Sequence, residues 1–133
     1  MTTGRGQSDR YCSIEFTARD LDPDVITIHL GRQPDSSFRR GDLFNGGYSR
    51  VQGAWVASSE DQVISDDVND HLTWATNFMT EHKEDILRTK QDCDCAVRLR
   101  IFWQFDATMS FVFTCEMLGL FSTLLDDVSL SVV

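Results

Sequence analysis
The chain has 133 residues, 41% of them hydrophobic and 25% charged, which suits one domain with a sizeable core. Its 21 acids against 12 bases leave a net charge of −9, which repels nucleic-acid phosphate and argues against direct DNA or RNA binding. No segment approaches the ~18 consecutive apolar residues of a membrane span. Residues 1–10, MTTGRGQSDR, lack both a signal-peptide core and a myristoylation pattern. The expectation is a cytoplasmic protein with four reduced cysteines, no membrane partner, and a flexible polar tail over residues 1–10.

From Tyr11 onward, Cys12, Ile14, Phe16 and Ala18 alternate with Ser13, Glu15, Thr17 and Arg19. Period two with one apolar face predicts a half-buried strand. Leu21-Asp22-Pro23-Asp24 then switches the period. Asp22 is placed to cap a helix, Pro23 to occupy its first position and Asp24 to complement its dipole. Leu21 and Ile26 stand at the positions of a hydrophobic staple, and Gly31 ends the helix in a left-handed conformation. Residues 33–53 are rich in Gly, Ser, Asp and Arg and predict a loop of about twenty residues, a length that is often functional.

A short strand follows at Ala54–Ser58, with Trp55 and Ala57 on one face. Ser65 or Asp66 then caps a helix whose stripe is Val68, Leu72, Ala75 and Met79, broadened by Trp74 and Phe78. A break near Thr80–His82 leads to a short helix holding Ile86 and Leu87, and Gln91–Asp94 reads as a turn. Val97, Leu99, Ile101, Trp103 and Phe105 alternate with Arg98, Arg100, Phe102 and Gln104 as a strong strand, its apolar set expected in the core. Asp106–Thr108 predicts a hairpin turn into a strand at Met109–Thr114. A helix at Glu116–Leu125, a polar Asp126-Asp127 turn and a strand at Val128–Val132 close the chain.

This order predicts an α+β fold over residues 11–133. It is a two-layer sandwich, with a mostly antiparallel sheet of about five strands and helices packed on one face. The outward Arg98 and Arg100 fit a sheet whose other face is partly wet.

Leu21-Asp22-Pro23, Leu30-Gly31, Arg40-Gly41, Trp55, His71-Leu72 and the apolar helix and strand at the end occur in an order that resembles a bacterial family, domain of unknown function 4279. The resemblance spans residues 11–133. It implies a fold and a bacterial source, and it transfers no catalytic residues. The Gly-rich insert between Gly41 and Trp55 and the Arg-rich strand depart from the family pattern.

The chemistry-bearing residues each have a structural alternative. Cys93 and Cys95 form half of a thiolate site, but no second closely spaced pair completes it. Cys12 and Cys115 read as buried thiols, so no metal or cofactor is expected. His71 reads as an inward histidine holding a fixed hydrogen bond, or as a site residue. Arg39 and Arg40 beside flexible backbone form either a grip for carboxylate or phosphate or a solvated loop. Tyr48 and Trp55 supply aromatic surface nearby in sequence.

Two functions follow from this reading. One is a non-enzymatic domain, of inhibitor or immunity type, that binds a protein partner with a basic surface. The other is a small-anion or small-ligand sensor built on Arg39, Arg40, Tyr48, Trp55 and His71.

Overall fold
In the computed structural model the described residues are 10–104 and 110–132. Strand β1, Tyr11–Ala18, leads into helix α1, Pro23–Leu30. The Asp22 carboxylate accepts from the Asp24 N–H at 3.0 Å, and Gly31 closes the helix at φ 69°. Leu21 and Ile26 are both buried, as the staple requires.

The stretch 33–53, expected as one loop, contains short strands. β2, Ser36–Phe38, pairs with the next long strand. β3, Leu43–Phe44, and β4, Tyr48–Ser49, form a small hairpin around Asn45–Gly47. Gly46 and Gly47 take φ of 76° and 83° in that turn, a conformation costly for other residues. Strand β5 is Gly53–Ser58.

Helix α2, Val68–Glu81, is capped by Asp67, not by Ser65 or Asp66, because the Asp67 carboxylate reaches the Asn69 N–H at 2.9 Å. Ser65 instead receives the Asp67 N–H and donates to Asp70, supporting the cap from outside. The break falls at His82. Helix α3, Lys83–Cys93, runs through the expected turn at Gln91–Asp94, which is confined to Asp94 at φ 48°. Cys93 packs against the core there, which favours the extra helical residues.

Strand β6, Ala96–Trp103, follows. The expected hairpin turn at Asp106–Thr108, with Phe105 and Met109, lies outside the described residues. Residues 111–114 do not form the expected strand. The Asn69 amide holds this segment instead: it accepts from the Val112 N–H at 2.9 Å and donates to the Ser110 carbonyl at 2.8 Å. Trp103 packs against the core edge-on to Phe111 and is only partly buried.

Helix α4, Cys115–Leu124, crosses to strand β7, Asp127–Val132, which lies parallel to β6. Asp126 is more than a polar turn. Its carboxylate accepts from the Val97 N–H at 2.7 Å, and its own N–H donates to the Val97 carbonyl at 2.8 Å.

The sheet order is β2-β5-β1-β6-β7, antiparallel except at β6–β7. The fold is thus α+β with a mostly antiparallel five-stranded sheet. Cys12, Ile14 and Phe16 of β1, Trp55 and Ala57 of β5, and Val97, Leu99 and Ile101 of β6 share one face with the helices. Ile26, Leu72, Met79, Ile86 and Leu124 close over them. Each such side chain withdrawn from water contributes about 1.5–3 kcal/mol before entropy is counted. Among the described residues no helix is long and apolar enough to cross a membrane.

Glycine substitutions test this packing. A Cβ at Gly53 would lie 2.6 Å from the Leu21 carbonyl oxygen and 3.0 Å from its Cβ. Gly53→Ala should therefore lose about 1–3 kcal/mol in urea unfolding. Gly119, in α4, has nothing within 4 Å of a built Cβ. Gly119→Ala should gain about 0.5–1 kcal/mol from helix propensity. Equal effects at the two positions would contradict the close approach of β5 to Leu21.

Candidate functional site
The five residues singled out in the sequence are not brought together. Arg39 follows β2 and reaches across to the acidic start of α1, with Nη1 2.8 Å from Asp22 and Nη2 2.8 Å from Asp24. Arg40 pairs with Asp20 at 2.9 Å. Both guanidinium groups thus have carboxylate partners within the chain, and their visible role is to clamp the 33–53 segment onto the β1–α1 turn. Tyr48 stands exposed on the β3–β4 hairpin, tilted against Phe44.

Trp55 and His71 are core residues. Trp55 is fully buried, lies edge-on to Phe16 at 5.4 Å, and donates its indole N–H to Thr27 Oγ1 at 3.1 Å. That leaves no indole surface for a ligand. His71 sits on α2 with 1% exposure. Its Nε2 is 2.8 Å from the Ser65 carbonyl, which only accepts, so Nε2 carries the hydrogen. Nδ1 then accepts from the Ser59 hydroxyl at 2.6 Å, and Ser59 Oγ accepts from the Cys12 N–H at 3.0 Å.

A serine paired to an imidazole resembles an activated nucleophile. Here both groups are buried beyond reach of a substrate, and every polar atom is used. The chain of bonds is a strut from β1 through Ser59 to α2. Ser59→Ala leaves the Cys12 N–H and His71 Nδ1 unsatisfied and should cost roughly 2–4 kcal/mol in denaturant melts, since one orphaned buried group costs about 1–3 kcal/mol. A loss under about 0.5 kcal/mol would show that water replaces the hydroxyl.

The four cysteines are all free. Cys12 is buried, and desolvation pushes its thiol up to about 12; Cys95 is pushed up to about 11 for the same first reason. Cys115, expected to be buried, is exposed at the first position of α4. Among the described residues no group of three or more His, Cys, Asp or Glu is placed to hold a metal ion. Since the thiolate is the reactive form, disulfide exchange at pH 8 should label Cys115 fast and leave Cys12 and Cys95 unlabelled until unfolding. Fast labelling of Cys12 in the native protein would contradict its burial.

The sheet's other face carries a more organised arrangement. Strand alternation that sends Ile14 and Phe16 inward sends Glu15 and Thr17 outward, and β6 does the same with Arg98 and Arg100. Glu15 lies opposite Arg98 in the antiparallel register, with Val56 opposite on its other side. Arg50 and Gln52, between β4 and β5, and Phe38 of β2 complete a groove of about 400 Å³ over this face. A second hollow of about 320 Å³ adjoins it, sharing Glu15 and Val56 and bordered by Tyr11 stacked on Phe102.

Each arginine in the groove has distinct surroundings. The Arg50 guanidinium packs on two aromatic rings, 3.9 Å from the Phe38 centroid and 4.0 Å from that of Phe44. Cation–π contacts of this kind contribute about 0.5–2 kcal/mol and fix the plane of the guanidinium. Among the described residues Arg50 has no carboxylate partner.

Arg98 pairs side-on with Asp127, Nε to Oδ1 at 2.6 Å and Nη2 to Oδ2 at 3.2 Å. That bonding holds the Asp127 carboxyl below the usual carboxylate range and raises Arg98. Both groups are well exposed, so the pair adds little stability.

Arg100 reaches Glu15 only loosely, at 3.5 Å. Its Nε is buried with no hydrogen-bond partner among the described residues. Three guanidinium groups thus face one carboxylate in the lining of the groove, with Asp127 beside Arg98.

The sequence showed Arg98 and Arg100 as outward residues without marking them as a site. Arg50, β1 and β6 meet only through pairings between distant segments, and no local pattern reports those. The one legible hint was the Arg-x-Arg alternation in a strand otherwise apolar.

The comparisons with known proteins place this chain by family alone. The family model described as "Domain of unknown function (DUF4279)" matches residues 8–131, nearly the whole chain, and the protein belongs to that family. No curated protein and no solved structure matches it.

Proposed function
We propose that this protein is a binding domain for a small anionic ligand, held in the groove on the open face of the sheet by Arg50, Arg98 and Arg100. The observation that carries the proposal is the convergence of three guanidinium groups, Arg50, Arg98 and Arg100, on one groove whose lining holds a single carboxylate, Glu15. Glu15 meets Arg100 Nη2 only at 3.5 Å and the Arg100 side chain is 32% exposed, so an oxyanion can reach its terminal N–H groups. Arg50 adds a pre-oriented donor edge, which lowers the entropy lost on binding. Thr17 and Gln52 supply neutral donors in the same lining.

This reading takes up the alternative to a protein-binding domain, the small-anion sensor, and moves its site. Arg39 and Arg40 already hold Asp22, Asp24 and Asp20, so a ligand there would have to displace three carboxylates. The protein-partner reading rests on small size, a single domain, net charge and the absence of catalytic motifs, and the groove supplies a more specific determinant, of opposite sign to that charge.

The test is thermal unfolding and calorimetry with inorganic phosphate and with citrate, on the wild type and on Arg50→Gln, Arg100→Gln and Arg39→Ala. At least one anion should stabilise the wild type, by about 2.7 kcal/mol at a concentration of 100 times its dissociation constant. Each groove substitution should weaken binding at least about tenfold, because a charge-assisted hydrogen bond is worth about 1.5–3 kcal/mol. Arg39→Ala should leave affinity unchanged. Absence of binding by either anion, or an equal loss in Arg39→Ala, would overturn the assignment.

A further inference from the structure
The two edges of the sheet are built differently. β2 is three residues long and is flanked by Asp35 and Arg39. Short length and flanking charge are the usual means by which an edge strand is kept from pairing with another chain. β7 has six residues, and its one charge, Asp127, is held by Arg98. It contains no proline, and among the described residues it is the last strand of the sheet. An edge of that kind is a template for strand pairing.

The side chains of β7 say more. Val128, Leu130 and Val132 lie in register with Leu99, Ile101 and Trp103 of β6, so they point to the helix side of the sheet. Yet they are 44%, 51% and 56% exposed, an apolar row that the helices leave open. The segment Val128-Ser129-Leu130-Ser131-Val132 also reads the same in both directions. Under a two-fold axis at Leu130, an antiparallel copy sets Val128 opposite Val132, Ser129 opposite Ser131, and Leu130 opposite itself. The apolar row continues across the junction, and serines meet serines on the other face. An isologous contact requires such a self-complementary patch. Bodies each carrying −9 repel, so two copies meet best where the surface has little free charge, and β7 meets that condition.

We infer that the protein forms a two-fold dimer by antiparallel pairing of β7 with β7 of a second copy, centred on Leu130, giving one continuous ten-stranded sheet. The register brings the two Leu130 Cα atoms to about 4.5–5.5 Å, within the span of a disulfide. The anion groove lies over the other face of each copy, and the dimer is independent of whether the groove binds.

Sedimentation equilibrium tests the inference on the whole chain under reducing conditions at low and high salt. The wild type should show the dimer mass, with association strengthened by salt as the mutual repulsion is screened. Leu130→Lys should be monomeric while keeping the wild-type circular dichroism spectrum. Leu130→Cys in a Cys115→Ser background gives a second reading that does not depend on that variant folding. Mild oxidation should link it into a covalent dimer, whereas Ile28→Cys in the same background, exposed on α1, should form no cross-link. A monomeric wild type at both salt concentrations would overturn the proposal. So would a dimer that survives Leu130→Lys, or no cross-link at position 130.

Discussion
β1 is hydrogen-bonded on both sides, to β5 and to β6, and its register decides what each face of the sheet carries. With Ile14 opposite Leu99 and Ala57, the apolar side chains of three strands meet under the helices. The same register sets Glu15 beside Arg98 and within reach of Arg100 on the other face. A slip of one residue would bury Glu15 and expose Phe16, so the core specifies the groove as strictly as it specifies itself. The Ser59–His71 strut enforces the arrangement from the end of β5, because it joins the Cys12 backbone to α2.

The groove is a local reversal of the molecule's charge. At long range a chain of −9 repels anions. At contact distance the balance is set by the nearest groups, which are guanidinium edges on a half-enclosed surface, where screening by water is weaker than on an open one. Such an arrangement disfavours casual binding of monovalent anions and favours a ligand with several oxygens that engages two or three arginines together. Arg39 and Arg40 illustrate the contrast: their partners are covalently part of the chain, so their charge is spent on holding the 33–53 segment.

The elements governed by neighbouring residues were legible in the sequence. The Asp22-Pro23 start of α1, its Gly31 stop and the alternation of β1 and β6 all rest on chemistry within a few positions, and all appear as expected. The failures share a cause. Residues 110–114 have the composition of a strand, yet Asn69, some forty residues away, takes their backbone groups. Gln91–Cys93 is polar enough for a turn, but tertiary packing carries α3 through it. Indole and imidazole serve equally well as site chemistry and as buried polar anchors, so Trp55 and His71 carry both readings in the sequence; their partners make them anchors, which is the inward, hydrogen-bonded alternative for His71. The groove escaped notice because Arg50 and the arginines of β6 are some fifty residues apart and meet only when β1 lies between β5 and β6.

The central claim is that the functional surface is the open face of the sheet and not the 33–53 loop around Arg39 and Arg40. The most direct measurement is a titration with phosphate or citrate followed by nuclear magnetic resonance of the arginine Nε–H groups, each assigned by substitution. The account predicts that the Nε–H signals of Arg50, Arg98 and Arg100 shift as the anion engages their guanidinium groups, and that those of Arg39 and Arg40 stay still. Shifts concentrated at Arg39 and Arg40, with the groove signals unchanged at saturation, would contradict it.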